Sequence, residues 1–536
     1  MKTRFLLSGT VIFLSVLTFC AASAALPFYV RLSFTSDTST SITVTWNTPE
    51  QAGTTVRYGT SPGNYPDTAT GTSFEADAEQ FGHIHSVTLT GLDPSTTYYY
   101  AAGDDEDGFS PEYEFTTGPP PDENCGVFKF TYLGDNRPDA TFGAGQNWDQ
   151  ILDQSWNHSP NFVLNGGDLV IDGEDIEGWI KFMAWTSNVS ARAAFMPAIG
   201  NHDTGPGEGD TANYNQLFTL PRSTCDHGSD TEDYYYFTFG NAVFVSLSTE
   251  TFEQGDIPFQ DQADWLDGVL TRNPAKWKIV YLHKPIYTQE VLFEISHKPN
   301  EEEQNEALVP VMDEHHVDLV ITSHNHWYER FHPSACADMG DPASDQACST
   351  GAGNFEEGTV YMVSGGAGAF TIPGLLCGFE PGRARCSGEH HYLFFSIENE
   401  VLTMETWAAY PQANDIIDSI TIVKEKDECK PVDADAGADA DTDSDTDTDT
   451  DTDVDTDADQ DTDGGSYINA PDEKEDGGVS EESGSASCGC STPGARSDTW
   501  SGWDMLQNLL PNLSHSFRFV NPWFIVPLKQ SIYSAM

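Results

Sequence analysis

Short polar motifs recur along the chain, each directly behind an apolar, β-rich stretch: Gly134-Asp135-Asn136-Arg137, Gly167-Asp168, Gly200-Asn201-His202-Asp203, the lone His283, and His324-Asn325-His326. A single Gly-Asp dipeptide or histidine says little. In series they supply carboxylates, an amide carbonyl and imidazoles, with no thiolate among them. Such donors suit two cations about 3.5–4 Å apart, with one carboxylate shared and positions left open for phosphate and water. The chemistry this set supports is hydrolysis of a phosphoric ester. In His324-x-His326 the alternation of an extended segment lets the two imidazoles serve different metals.

The elements that must position these groups are legible as apolar runs. Phe128 to Leu133, Phe162 to Leu164, Ala242 to Leu247, Lys278 to Leu282, Val317 to Thr322 and Val360 to Val363 read as buried strands that end at polar or glycine-containing turns. Trp148 to Trp156, Asp261 to Thr271 and Asn305 to His316 carry helical periodicity between them. Buried strands with helices between them predict an α/β region whose site lies at the strand ends.

Ahead of it lies a region of different texture. Tyr29 to Phe34, Ser41 to Trp46, Thr54 to Tyr58, His83 to Leu89, Tyr98 to Ala102 and Glu112 to Thr117 are short, alternating and rich in Thr, Val and Tyr. Their spacing predicts a β-sandwich, with Ile42, Val44 and Trp46 as a core stripe. His83 and His85 share a strand face, but with no further ligands nearby they read as strand residues. Pro119-Pro120-Pro121 separates the two regions.

Lys2 and Arg4, the apolar run Phe5 to Phe19 and Ala22-Ser23-Ala24 describe a secretory signal peptide at 1–24, cut after Ala24. Export implies paired cysteines. Cys336 with Cys348, and Cys377 with Cys386, could each staple a loop, and Cys125 with Cys429 could tie the ends of the central region; parity leaves one cysteine over. Asp plus Glu number 85 against 24 Lys plus Arg, a net charge of -61, which argues against nucleic acid and anionic membrane as partners. Much of that charge lies in the Asp/Thr-rich tract from Asp433 to Asp463, which reads as a disordered acidic spacer within 424–490. A tail of unclear role follows at 491–536. Cys488-Gly489-Cys490 behind the spacer is similar to bacterial cell-surface sorting tails, though without their apolar span and basic end. Neither attachment to a surface nor oligomeric state follows from the sequence.

The ordered motifs resemble the signature of calcineurin-like metallophosphoesterases, and His324-Asn325-His326-Trp327-Tyr328-Glu329-Arg330 is most similar to the purple acid phosphatase version. The segment at 26–118 resembles the fibronectin type III-like N-terminal domain of the plant-type enzymes, and Gly91 to Tyr98 its corner before a late strand. The resemblance implies a catalytic domain at 125–423 that is a four-layer β-sandwich flanked by helices. It implies that Asp135, Asp168 and His326 hold one metal, that Asn201, His283 and His324 hold the second, and that Asp168 bridges. His202 matches the histidine that orients substrate or protonates the leaving oxygen. Two positions depart from the family. Ile171 stands where the purple enzymes have a tyrosine ligand, and Arg137 stands where other members of the superfamily have a histidine ligand. A guanidinium has no lone pair to donate, so Arg137 is expected either to hold the substrate phosphate or to form a surface ion pair. His390 and His391 are expected to be structural. The expected cofactors are two divalent metals, manganese, zinc or ferrous iron, the family precedent being iron paired with zinc, manganese or iron. The expected reaction is hydrolysis of a small phosphomonoester by a metal-bound hydroxide. A phosphodiesterase acting on nucleotides or lipid head groups, and a surface binding protein with a weakened site, are the rival readings.

Overall fold

The computed structural model describes residues 25–424, apart from 122–126, 139–146, 208, 224–227, 251–258, 289–301, 334–357, 372–376, 378–381 and 410–414. The expected signal peptide, the acidic spacer and the tail lie outside the described residues, as do Cys125, Cys336, Cys348 and Cys429.

Parallel strands Val127–Leu133, Phe162–Asn165 and Ala194–Pro197 lie side by side in one sheet. Ala242–Ser246, Trp277–Tyr281, Leu319–Thr322 and Val360–Ser364 lie side by side in a second sheet of seven strands. The inner faces of these sheets meet in an aromatic core. Phe130 stacks on Phe395 at 4.5 Å and on Phe162 at 5.3 Å, and Phe162 meets Phe244 of the opposite sheet at 5.1 Å. Helices Trp148–Trp156 and Ile176–Ser190 pack against the first sheet, and Phe259–Arg272 and Glu302–Glu314 belong with the second. The expected four-layer arrangement is therefore present.

The amino-terminal region forms its expected sandwich. One of its sheets pairs Thr55–Gly59 with Thr97–Asp104, and the latter with Tyr113–Thr116. The other holds Phe28–Ser33, Ser41–Thr48, His83–Thr90 and Thr72–Glu75, and it is not separate from the catalytic region. Leu32 pairs in parallel with Ala194, so these strands complete a ten-stranded sheet spanning both regions. This explains why strand Ser41–Thr48 is buried along its whole length. Ile42, Val44 and Trp46 enter the sandwich core, whereas the Thr45 and Asn47 side is covered from the catalytic region. Thr45 Oγ1 meets Thr219 Oγ1 at 3.1 Å, and Asn47 Oδ1 accepts from Arg31, whose Nε donates to Leu217 O. Phe34 likewise sits 5.4 Å from Phe237. His85 is a strand residue as expected: it stacks on Trp46 at 5.1 Å, between the hydroxyls of Thr48 and Thr54.

Several elements escape the apolar-run reading. Helix Ile176–Ser190 is capped by the Asp175 carboxylate, which accepts from Glu177 N. Ala194–Pro197 is only four residues long and ends in proline. Val401–Ala408 and Ile416–Val423 escape it as well; they join His391–Glu398, whose Tyr-Leu-Phe-Phe run is legible as a strand, in extending the first sheet antiparallel beyond Val127–Leu133.

Candidate metal centre

Each chemical motif begins where a parallel strand ends. Asp135 follows Val127–Leu133, Asp168 follows Phe162–Asn165, and Asn201 and His202 follow Ala194–Pro197. His283 follows Trp277–Tyr281, and His324 and His326 follow Leu319–Thr322. The chain turns sharply there. Asp135, Asp168 and His324 all have left-handed backbones, φ 58°, 56° and 67°, an unusual conformation for a side-chain-bearing residue. Close approach also fixes two glycines. A Cβ at Gly365 would stand 2.6 Å from Asp135 Oδ2, and one at Gly200 would collide with the backbone N and carboxylate of Asp168.

The side chains converge in two groups whose ligand atoms lie within 4.8 Å of one another: Asp135, Asp168 and His326, and Asp168, His283 and His324. Asp168 belongs to both. In the second group His283 Nε2 is 3.2 Å from Asp168 Oδ1, 3.1 Å from Asn201 Oδ1 and 3.1 Å from His324 Nδ1. In the first, His326 Nε2 is 3.2 Å from Asp135 Oδ1, a buried oxygen without a hydrogen-bond donor. The imidazoles are set from behind. His283 Nδ1–H donates to Gly166 O at 2.8 Å and His326 Nδ1–H to Phe370 O at 2.9 Å, so both rings turn Nε2 to the carboxylates. Converging imidazole Nε2 atoms, an orphaned buried carboxylate oxygen and a carboxylate common to both groups fit a pair of cations.

The electrostatics point the same way. Burial alone would pull the His283 imidazole down, but the Asp168 carboxylate beside it lifts its pKa to about 9. Burial pushes the Asp168 carboxyl up, yet His283 and Arg137 outweigh it and hold it well below the usual carboxylate range.

Of the remaining expected residues, His202 stands beside the cluster. Its backbone N donates to Asp168 Oδ1 at 3.0 Å, and its ring Nδ1–H donates to Ile171 O at 2.5 Å, leaving Nε2 for other partners. Arg137 is not on the open surface: its guanidinium donates to Asp168 Oδ2 and lies 3.7 Å from Asp135 Oδ1. Tyr328 donates its hydroxyl to Asp418 at 2.8 Å, and Glu329 accepts from Thr288, Trp327 and Arg383, so the Tyr-Glu-Arg part of the motif anchors its strand. Cys377 pairs with Cys386 on the adjoining strand Arg383–Ser387. His391 is buried between Ser364 Oγ and Glu389 O, a structural role as expected, and His390 donates to Gly366 O.

Reading the motifs gave Asp203 no role. Fully buried, it accepts from the backbone N–H groups of Leu169 and Val170 through Oδ1, and of Asp168 and Gly200 through Oδ2, at 2.7–3.2 Å. Burial and the charge of Asp168 raise its pKa, but with every acceptor position filled by a donor it stands as the carboxylate. It joins the turn carrying Asp168 to the turn carrying Asn201. The signal was present, since Asp203 closes the Gly-Asn-His-Asp motif.

Together the fold and this centre have the donor set of a binuclear-metal phosphoesterase. Residues 27–117 match the purple acid phosphatase N-terminal domain, and residues 128–328 match the calcineurin-like phosphoesterases. The chain is thus similar to the calcineurin-like phosphoesterases in its second region and to the purple acid phosphatases in its first. It is 28% identical to purple acid phosphatase 22 of Arabidopsis thaliana over 312 residues, which span 56% of this chain and 66%, just under two thirds, of that relative. It is 25% identical to acid phosphatase type 7 of Danio rerio, over 76% of this chain and 94% of the relative. The fold is similar to that of the purple acid phosphatase PPD1 from yellow lupin, with a TM-score of 0.59 at 20% identity over 74% of each chain.

Proposed function

We propose that this protein is an exported phosphomonoesterase. Asp135, Asp168 and His326 would hold one divalent metal and Asn201, His283 and His324 a second, with Asp168 common to both. The observation that carries this reading is the pair of donor groups sharing Asp168, with His283 and His326 fixed by backbone carbonyls so that Nε2 faces the carboxylates. Two bound cations, manganese, zinc or ferrous iron, would neutralise phosphoryl oxygens and lower the pKa of water. The chain's own contribution is to orient. Asp168 fixes the spacing of the two groups and accepts the His202 backbone N–H, which sets His202 against the cluster. With Nδ1 committed to Ile171 O, His202 can hand a proton to a leaving oxygen only from Nε2.

The substrate class is a small phosphomonoester, in keeping with a net charge of -61 that repels polyanions. The domain limits follow the composition: a signal peptide at 1–24, the N-terminal domain at 26–118, the catalytic domain at 125–423, and an acidic spacer and tail beyond. Export rests on the N-terminal sequence alone.

The test is turnover of an aryl phosphate against a bis-aryl phosphate by purified, manganese-loaded protein, with wild type beside His202→Ala. Preference for the monoester, and a loss in the variant that is smaller for substrates with good leaving groups, is the expected result. Faster turnover of the diester would overturn the substrate class.

A further inference from the structure

Arg137 is placed where a cation is already expected. Its guanidinium donates to Asp168 Oδ2 and lies 3.7 Å from Asp135 Oδ1, the two carboxylates of the first donor group. Both carboxylates are fully buried, and the arginine side chain is only 15% exposed. Among the described residues, Arg137 is the one lysine or arginine that the structure pairs with either donor group. The backbone there is unusual too: Arg137 has a φ of 38°, outside the regions an arginine ordinarily occupies. The second donor group is built differently. It consists of Asp168, two imidazoles and the Asn201 carbonyl; Arg137 meets it through the shared Asp168, on Oδ2, while Asp168 Oδ1 faces His283.

We propose that Arg137 is the resident cation of the Asp135–Asp168–His326 group in the metal-free protein and competes with metal there, so that the two sites load unequally, the Asp168–His283–His324 site first. This rests on the metal-ligand reading above. Two buried carboxylates without a counter-charge are costly, and the guanidinium removes that cost until a metal does. It cannot leave by losing a proton, since arginine stays protonated at any working pH. A metal entering this group therefore breaks a buried ion pair and moves the side chain. Because the metal itself supplies the new counter-charge, the cost of displacing the guanidinium is a loss of affinity of about 10-fold or more.

The experiment is a calorimetric titration of chelator-stripped protein with manganese(II), with bound metal counted after dialysis at fixed free metal. Wild type is expected to take one tight equivalent and a second at least ~10-fold weaker. Arg137→Gly, which accepts the positive φ, should bring the two constants to within about threefold, and Arg137→Lys, which keeps a cation, should not. The metal-free Arg137→Gly protein should melt below metal-free wild type, while the two loaded proteins melt together. If that variant does not fold without metal, Arg137→Gln, neutral and of similar reach, provides the same comparison. Two equal sites in wild type, or constants unchanged in the neutral variants, would overturn the proposal. Manganese bound as well by Asp168→Asn as by wild type would overturn the metal-ligand reading beneath it, a separate result.

Discussion

Asp203→Asn is the sharpest single-atom test of how the centre is built. The carboxylate accepts Leu169 N–H at 2.7 Å and Val170 N–H at 3.2 Å on Oδ1, and Asp168 N–H and Gly200 N–H, both at 2.8 Å, on Oδ2. An asparagine keeps one oxygen and turns an NH2 group towards two N–H donors in a fully buried site. Two bonds to a charged acceptor are lost, at about 1.5–3 kcal/mol each, or about 3–6 kcal/mol together. That is a large part of the 5–15 kcal/mol a domain has to spare. Whichever oxygen is replaced, N–H groups of the turn that carries Asp168 lose their acceptor, so metal affinity should fall along with stability. The assay is thermal unfolding of metal-free protein, beside calorimetric titration with manganese(II). The melting temperature should drop by roughly 10 °C and manganese should bind at least ~10-fold more weakly. Wild-type melting and affinity in the variant would show that the four contacts do not hold the turns, and the reasoning would fail.

Asp168→Asn should cost at least ~10²-fold in turnover, because the shared charge holds both cations; near-normal turnover with unchanged metal content would contradict the bridge. Burial holds His85 and His391 neutral, each with its pKa lowered to about 4 from 6.5, so both are neutral in the fold while an unfolded chain would protonate them. Their contribution to stability is therefore whole above about pH 6.5 and lost as pH falls towards 4. Melting measured across that window should decline, and His85→Gln should flatten the decline; a parallel curve in the variant would exclude His85. Oxidised, iron-loaded protein should be colourless, because Ile171 offers no phenolate and Tyr328 is committed to Asp418, whereas Ile171→Tyr should gain visible absorption; a purple wild type would require another tyrosine at the metal.

The sequence carried the centre better than the scaffold, for a physical reason. Asp135, Asp168, Asn201, His283, His324 and His326 each follow an apolar strand, and strand polarity alone sends such groups to one end of a sheet. The strands themselves are legible because Phe128 to Leu133 or Lys278 to Leu282 are long apolar runs. Ala194–Pro197 is not, and its pairing with Phe28–Ser33 rests on contact between residues far apart in sequence. Arg137 illustrates the same limit. Its charge and inability to ligate a metal could be read, but whether it meets phosphate, solvent or a carboxylate depends on where Asp168 comes to rest. The role of Asp203 is not legible, because a buried carboxylate serving backbone N–H groups looks in sequence like any other aspartate.

The shared sheet gives the N-terminal domain a part in the chemistry. Strand Ala194–Pro197 delivers Asn201 and His202, and without its neighbour it would be the edge of its sheet, with unpaired backbone groups and nothing to hold its register. Phe28–Ser33 supplies that neighbour through the Leu32 and Ala194 pairing. Around it, Arg31 donates to Leu217 O at 2.6 Å, Thr38 to Thr238 O at 2.7 Å and the Tyr100 hydroxyl to Ala191 O at 2.7 Å, so the brace reaches both catalytic sheets and the end of helix Ile176–Ser190. Met196, inside the braced strand, is contacted from both sides: its sulfur accepts from Phe34 N, and its carbonyl from the Tyr281 hydroxyl, two residues before His283. A shift of the N-terminal domain would thus be felt at the strand carrying Asn201 and at the strand carrying His283, two side chains whose ligand atoms stand 3.1 Å apart. On this geometry the sandwich is part of the frame that sets the second donor group, not an appendage tethered by the proline run.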